Sequence, residues 1–322
     1  MTSSVTGKTV LAVVGPTASG KTALSIALAK RLSGEVVSCD SMQIYRGMNI
    51  GTAKPDAAEM DSIPHHIIDI CSPDVPFSCA DYIAAADIAV SDIINRGNLP
   101  IFCGGTGLYI DSFLQSRAFS PAGANPKIRE SLQQEADAFG TEKLHERLEL
   151  VDPTAASAIH PNNRVRVIRA LEIYYATGKT KSQWDAESHA SPSDFDVCWI
   201  GLAFSDRTIL HDRIRRRVLL MMEHGFTEEV SALLRDGYLK EGSTAAQAIG
   251  YREMAAYLKG ELTREEAIEK IVISTRQYAK RQLTWFRRNP CVHWIYPDLA
   301  KNSDSVTAEA LACFRRHKEA SF

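Results

Sequence analysis

The sequence predicts an α/β fold in which a parallel, doubly wound sheet forms the core and an all-helical insertion interrupts it. Short apolar runs alternate with helical patterns in the first third of the chain, which is typical of a parallel sheet. From about residue 120 the pattern becomes helical and charged, and an apolar, partly β-branched run at 197–204 returns the chain to the sheet. The predicted domains are a core of residues 1–119 and 196–322 and a helical insertion of residues 120–195.

A phosphate-binding sequence lies between the first predicted strand and the first predicted helix. The apolar strand at 9–14 is followed by GPTASGKT at 15–22, and a helix continues from 23 to 32. This is the pattern G-x-x-x-x-G-K-[ST] in its expected setting. Backbone N–H groups of such a loop converge on a phosphate, the helix N-terminus and Lys21 add positive charge, and Thr22 is a candidate Mg²⁺ ligand. The predicted core is therefore P-loop NTPase-like, and the loop taken alone predicts binding of ATP or another nucleoside triphosphate.

The remaining elements of the core and the insertion follow in order. They are a strand at 35–39, a loop at 42–64, a short strand at 66–70, a helix at 78–94 capped by Ser78, a strand at 99–103, insertion helices at 127–139, 142–150 and 165–175, the strand at 197–204, a helix at 209–224, mostly helical chain to 286, and a helix beyond 302. Three strand ends carry glycine or polar residues: the phosphate loop, Asp40 with Ser41, and residues 104–107. Ligands of such sheets bind at the carboxyl ends of the strands.

Composition excludes several classes of protein. The net charge is −2, so any contact with nucleic acid depends on local patches. The seven cysteines are scattered without a C-x-x-C pair, which argues against a zinc ribbon or redox motif and fits a reducing compartment. Residues 1–9 are short and polar, and no apolar run reaches the roughly 20 residues of a membrane span. We expect a cytoplasmic monomer that does not bind membranes.

Asp40 is the first candidate for chemistry, because it follows a strand expected next to the phosphate loop. It is either a general base or Mg²⁺ contact, or an aspartate that only caps a turn. The strand at 99–103 ends in Cys-Gly-Gly, where many nucleotide hydrolases carry an aspartate, so a motor-type or switch-type ATPase is disfavoured. Residues 104–107 permit close approach of a ligand, with Thr106 as the polar side chain, or form a purely structural turn.

Two basic segments are candidate contacts for phosphate or RNA. Arg213 and Arg217 are four residues apart on a predicted helix, so they share a face that reaches a phosphate or faces solvent. Residues 276–288 hold five cations, three aromatic residues and no acid, which suits RNA, although a buried amphipathic helix with a charged outer face is the alternative. Arg164, Arg166 and Arg169 add a basic strip in the insertion.

These pieces, in this order, resemble the bacterial tRNA dimethylallyltransferases, the A37 isopentenyltransferase family. The matching segments are GPTASGKT at 15–22, SCDSMQIY at 38–45, GTAKP at 51–55, PHH at 64–66 with ID at 68–69, GGTGLY at 104–109, RI at 213–214 with Arg217, GYR at 250–252, TRQ at 275–277, KRQ at 280–282 and Trp285. They span about residues 10–290. The zinc finger of the eukaryotic relatives has no counterpart, because Cys291, Cys313 and His317 lack its spacing.

The resemblance implies a reaction and a role for particular residues. Dimethylallyl diphosphate gives its five-carbon group to N6 of adenosine 37 beside the anticodon, in tRNAs reading codons that begin with U, and diphosphate is released. The loop then binds the prenyl diphosphate rather than ATP, through Gly15, Pro16, Thr17, Ala18, Ser19, Gly20, Lys21 and Thr22. Asp40 matches the base, Thr106 a residue near the transferred group, and Lys21 and Arg217 ligands of the leaving diphosphate, with Mg²⁺ assisting.

By the same match, four segments correspond to contacts with the anticodon stem-loop, and the insertion grips that stem-loop. The residues are Asp40, Ser41, Met42, Gln43, Val165, Arg166, Val167, Ile168, Arg169, Gln247, Ala248, Ile249, Gly250, Tyr251, Arg252, Lys280, Arg281, Gln282, Leu283, Thr284, Trp285, Phe286 and Arg287. Three alternatives stay open on the sequence: a small-molecule P-loop kinase, an isopentenyltransferase acting on free AMP, ADP or ATP, and a non-enzymatic RNA-binding module.

Overall fold

A single parallel sheet carries the fold in the computed structural model, which describes residues 7–115, 125–189 and 194–320. Within these residues the strands are β1 (Lys8–Val14), β2 (Gly34–Cys39), β3 (His65–His66), β4 (Leu99–Gly104), β5 (Phe195–Leu202) and β6 (His293–Ile295). Their order is β3-β2-β4-β1-β5-β6, and every pairing is parallel. The predicted α/β class with a parallel sheet is confirmed.

Helices connect the strands and form most of the remaining structure. They are α1 (Lys21–Leu32), α2 (Ala57–Met60), α3 (Cys79–Asn95), α4 (Gly107–Leu114), α5 (Pro126–Phe139), α6 (Thr141–Val151), α7 (Pro153–Ala158), α8 (Arg164–Thr177), α9 (Lys181–His189), α10 (Arg207–Glu223), α11 (Phe226–Arg235), α12 (Tyr251–Leu258), α13 (Arg264–Phe286) and α14 (Ser303–Ala320). Ser78 caps α3 as predicted, and it forms a capping box with Asp81. No helix of the described part of the chain is long and apolar enough to cross a membrane.

The chain divides into two compact units, one of Met1–Ile110 with Phe195–Phe322 and the other of Asp111–Asp194. In the first unit, α1 and α14 pack on the sheet around Leu28, Ile200 and Phe314. The central strand β1 is buried from Val10 to Val14, which explains its continuous apolar sequence. The predicted start of the insertion at residue 120 lies outside the described residues.

The second unit is a helical bundle formed largely by α5, α6 and α8. The carboxylate of Glu172, on α8, is fully buried in this unit. Arg129 and Arg169 donate to Glu172 at 2.9 and 3.0 Å, and the backbone N–H of Asn125 donates at 2.8 Å. Burial alone would raise the pKa of Glu172, but these hydrogen bonds lower it, so the buried group is a compensated anion.

A second carboxylate, that of Glu35, connects residues at the amino-terminal ends of the strands. Arg96 donates to it through Nη2 at 2.8 Å and Nε at 3.1 Å, and Asn98 Nδ2 and His66 Nε2 contact it at 2.7 Å. Burial alone would raise the pKa of Glu35, but the hydrogen bonds of Arg96, Asn98 and His66 lower it to about 2. The PHH segment that resembled a family motif therefore holds strands together at the end of the sheet opposite the phosphate loop.

Three details of the sheet differ from the sequence expectation. The strand predicted at 66–70 is only His65–His66, because Ile67 and Asp69 have φ of +62° and +57°, which end extended backbone. The short strand β6 was not predicted, and it adds to β5 at the sheet edge. Finally, β2 does not neighbour β1, because β4 pairs with both of them, so Asp40 follows a strand one position further away than expected.

Candidate active site

The phosphate loop connects the end of β1 to the start of α1, as predicted. Gly15 is required there: its φ is +143°, and a Cβ at this position would lie 2.5 Å from the carbonyl oxygen of Leu202. Gly20 has a φ of +95° and precedes the first residue of α1. The loop thus leads directly into a helix N-terminus, which adds partial positive charge beside its free backbone N–H groups.

Two partly buried cations, Lys21 and Arg217, stand at this loop. Lys21 Nζ donates to the carbonyl oxygen of Pro16 at 2.7 Å, and Arg217 Nη1 donates to the hydroxyl of Thr17 at 3.3 Å. Burial lowers the pKa of Lys21 to about 8 and also lowers the pKa of Arg217. Neither forms an ion pair with a carboxylate of the residues that the structure describes. Cations held without a carboxylate partner provide a site for an anionic ligand.

Asp40 follows β2 and lies at the wall of the cavity described below. Its Oδ1 accepts from the backbone N–H of Met42 at 2.8 Å and of Gln43 at 3.3 Å. The turn interpretation of Asp40 is thus correct for one oxygen, which orients the carboxylate. The charge of Asp40 favours the protonated forms of Lys21 and Arg217, so the three groups interact electrostatically across the site.

The glycine-rich turn after β4 serves packing with α13 rather than approach of a ligand. A Cβ at Gly105 would lie 1.8 Å from Nε2 of Gln282, and one at Gly107 would lie 2.2 Å from Cδ1 of Trp285. The structural interpretation of these glycines therefore holds. Thr106 keeps a polar role, since its hydroxyl accepts from the N–H of Ser41 at 3.2 Å.

Tyr278, one of the three aromatic residues of the basic segment at 276–288, adds a hydroxyl to this region, a role that the sequence analysis did not assign to it. Its hydroxyl is in hydrogen-bonding contact with Thr106 and Gln282. Burial, followed by the nearby charge of Asp40, raises the pKa of Tyr278 to about 12. Tyr278 is therefore a neutral hydrogen-bonding group at neutral pH.

A cavity of about 300 Å³ is lined by several of these groups. The polar residues of its lining include Thr17, Asp40, Arg217, Tyr278 and Arg281. The apolar part of the lining consists of Ile214, Val218, Met221, Phe226, Tyr251 and Ile271. Such a cavity suits a molecule with a small apolar group joined to an anionic head.

Glu229 is a further residue that sequence reasoning missed. Its carboxylate accepts from the backbone N–H groups of Asn49, Ile50 and Gly51 at 2.9, 2.8 and 3.2 Å, and from the hydroxyl of Tyr251 at 2.6 Å. Gly51 and Tyr251 line the cavity, so Glu229 fixes part of its wall. No local signal in the sequence could identify this contact, because the partners lie about 180 residues apart.

Arg213 and Arg217 of α10 share a face, as predicted, but have different partners. Arg213 Nε donates to the carbonyl oxygen of Ala18 at 2.8 Å, and its guanidinium lies 5.5 Å from the centre of the Phe204 ring. Arg217 instead faces Thr17 and the carbonyl oxygen of Thr52, at 3.3 and 3.5 Å. Of these two arginines, Arg217 lines the cavity and Arg213 does not.

The segments expected to contact RNA differ in exposure. The cavity wall includes residues 40–42 and 247–251. On α13, Lys280 and Arg281 are exposed, while Gln282 and Phe286 are buried. The basic segment of α13 therefore has the burial pattern of an amphipathic helix with a charged outer face, and its contact with RNA stays a prediction. Residues 165–169 belong to the other unit, where Val165 is exposed but Val167 and Ile168 lie in the core, so these two side chains are not available for contact with RNA.

Together, the parallel sheet, the phosphate loop and the cavity with one carboxylate and two cations define an α/β enzyme with a P-loop NTPase-like fold. Comparison with known families identifies it further. The profile of the family described as IPP transferase matches residues 43–289, and that of isopentenyl transferase matches residues 8–72. The chain belongs to the IPP transferase family, and it is an enzyme of the transferase class.

Individual relatives agree with this assignment. The chain is 47% identical over 299 residues to the tRNA dimethylallyltransferase of Thermoanaerobacter sp. (strain X514), with 92% of this chain and 94% of the relative covered. It is 46% identical to that of Geobacter sulfurreducens, with 95% and 97% covered. Among solved structures, the tRNA isopentenylpyrophosphate transferase from Bacillus halodurans has a TM-score of 0.73 at 43% identity, with 98% of each chain covered. A eukaryotic dimethylallyltransferase acting on tRNA has a TM-score of 0.83 at 29% identity, with 97% of this chain and 80% of that chain covered.

Proposed function

We propose that this enzyme transfers the dimethylallyl group of dimethylallyl diphosphate to N6 of adenosine 37 in tRNAs that read codons beginning with U. The observation that carries the proposal is the cavity itself. Its lining combines Thr17 of the phosphate loop, the carboxylate of Asp40 and the guanidinium of Arg217 with several apolar side chains. A prenyl diphosphate has the matching parts, a five-carbon apolar group and a diphosphate, and the names of the relatives support the same chemistry.

The roles of the residues follow from the charges that change during the reaction. The N6 lone pair of adenine is delocalised into the ring, so the amine is a weak nucleophile. Asp40 accepts the N6 proton while N6 bonds to C1 of the prenyl group and the C1–O bond breaks. The electron pair of that bond leaves with the diphosphate, where Lys21, Arg217 and the loop N–H groups stabilise the added charge. Thr106 lies beside the transferred group.

The residues present fit a magnesium ion at the diphosphate. Thr22 is the second residue of α1, and its hydroxyl is in hydrogen-bonding contact with the thiol of Cys103 rather than with a charged group. Mg²⁺ is commonly held by one or two protein oxygens together with substrate phosphates and waters. Thr22 would hold the ion, which would neutralise part of the charge of the diphosphate.

We assign the grip on tRNA to exposed residues of both units. These are Lys280, Arg281 and Thr284 on α13 and Arg287 at its C-cap. In the unit of Asp111–Asp194, Val165 and Arg166 are exposed, while Arg169 also binds Glu172. Extrusion of adenosine 37 from the anticodon loop costs a few kcal/mol, which contacts in the pocket offset. None of the seven cysteines forms a disulfide, which supports a cytoplasmic location, and we propose a monomer.

A labelling experiment tests the proposed reaction. The enzyme, Mg²⁺ and labelled dimethylallyl diphosphate are incubated with unmodified tRNA carrying A36-A37-A38, with AMP, or with a tRNA in which adenosine 37 is replaced by guanosine. We expect label on the first tRNA alone. Label on AMP, or transfer of γ-phosphate from ATP in a parallel reaction without prenyl donor, would contradict the proposal.

A further inference from the structure

The phosphate loop contains one residue in an unfavourable backbone conformation. Ala18 has a φ of +62°, the left-handed region that residues with a Cβ rarely adopt. The loop uses glycine at its other two positive φ values, Gly15 and Gly20, but not here. A conformation of this kind persists only where the surrounding structure holds it in place.

Two side chains from distant helices hold the backbone on either side of this position. The N–H of Thr17 donates to Oε1 of Gln282, on α13, at 2.8 Å. The carbonyl oxygen of Ala18 accepts from Nε of Arg213, on α10, at 2.8 Å. The methyl group of Ala18 packs against the apolar cluster that joins these two helices.

Gln282 is itself held rigidly. It is 5% exposed, and its amide contacts the hydroxyl of Tyr278. Because a Cβ at Gly105 would lie 1.8 Å from Nε2 of Gln282, the absence of a side chain at Gly105 allows the amide to occupy its place. One glutamine therefore connects the phosphate loop, the turn after β4 and the helix whose outer face is basic.

We propose that Gln282 and Arg213 are positioning residues that hold Ala18 in its left-handed conformation and so keep the N–H groups of residues 18–22 in place for the diphosphate. This inference rests on the proposed function, since it concerns the binding of a diphosphate. Arg213 acts here through the loop backbone rather than as a phosphate ligand. Gln282 likewise acts on the loop rather than on RNA, because it is buried.

The test measures binding of inorganic pyrophosphate in the presence of Mg²⁺ by isothermal titration calorimetry. Gln282→Met removes the acceptor for Thr17 at similar size, and Gly105→Ala displaces the amide of Gln282 without removing it. We expect each variant to raise the Kd about tenfold, the effect of losing one well-placed hydrogen bond. Gln277→Met, an exposed glutamine of the same helix, is the matched control and should change the Kd less than about twofold.

A second substitution separates positioning from direct contact. Glycine adopts a positive φ without strain, so Ala18→Gly in the Gln282→Met background should recover at least about threefold of the lost affinity. Unchanged affinity in both single variants, or no recovery with glycine, would overturn the positioning role while the proposed function stands. A wild-type enzyme that neither binds pyrophosphate nor transfers the prenyl group would overturn the proposed function and this inference together.

Discussion

Substitution of Glu229 by glutamine should loosen the wall of the cavity. The carboxylate accepts four hydrogen bonds, two of them on Oε2 from Asn49 and Ile50. The other two are on Oε1, from the N–H of Gly51 and the hydroxyl of Tyr251. A carboxamide retains one acceptor oxygen, which can keep the first pair. Its NH₂ group then faces the N–H of Gly51, which loses its acceptor.

The expected cost is that of one hydrogen bond to a charged group and one unsatisfied N–H, about 2–3 kcal/mol. For a unit of this size, that lowers the Tm by about 4–12 °C. Because Arg217 and Gln43 both bind carbonyl groups of the same loop, we also expect a higher KM for the prenyl donor.

Glu228→Gln is the matched control, measured beside Glu229→Gln by differential scanning calorimetry. Both glutamates lie in the first turn of α11 and interact with its N-terminus, but Glu228 is exposed. The control should therefore lose less than about 1 kcal/mol. Equal Tm values for the two variants would refute the assignment of Glu229 as the residue that fixes the loop.

Three further predictions concern titration and RNA binding. The pKa of Glu35 is lowered in the folded protein, so Glu35 stabilises the fold above its ordinary pKa of 4.5, and this contribution is lost as the pH falls towards 2. The free energy of unfolding of Glu35→Gln, measured with urea, should lack that part of the pH dependence. A pH dependence equal to that of the wild type would contradict this assignment. Lys21 loses its proton above its pKa of about 8 in the free enzyme, so kcat/KM for the prenyl diphosphate should fall above pH 8, whereas a flat profile to pH 10 would contradict this assignment. Lys280→Ala should weaken tRNA binding and reduce the log–log salt slope by up to about one, while Lys270→Ala on the same helix should not; equal slopes would count against the contact.

Local sequence was sufficient for the elements whose causes are local. The phosphate loop, its flanking strand and helix, and the Ser78 cap each depend on residues within a few positions, so their patterns predicted them. The contacts of Gln282 with Thr17 and of Glu229 with Gly51 join residues 265 and 178 positions apart, which no local pattern encodes. The sequence predicted the helix that contains Gln282, but it also predicted that this buried glutamine contacts RNA together with the exposed cations around it.

The order of the strands was also beyond local reasoning. Nothing in the strand ending at Asp40 shows that β4 lies between it and β1. The glycines at 104–107 had two interpretations on the sequence, and only the positions of Gln282 and Trp285 decide for packing. In contrast, the shared face of Arg213 and Arg217 was predictable from their spacing, although their different partners were not.

The most direct test of the account is the single-turnover rate of Asp40→Asn with saturating tRNA and prenyl donor. Asparagine keeps the oxygen that accepts from Met42 and Gln43, so the turn is preserved and the basic carboxylate is lost. We expect the rate of prenyl transfer to fall by at least about 100-fold, as for loss of a general base, while the Kd for tRNA changes less than about threefold. A rate within a few-fold of the wild type would contradict the role of Asp40 as the base.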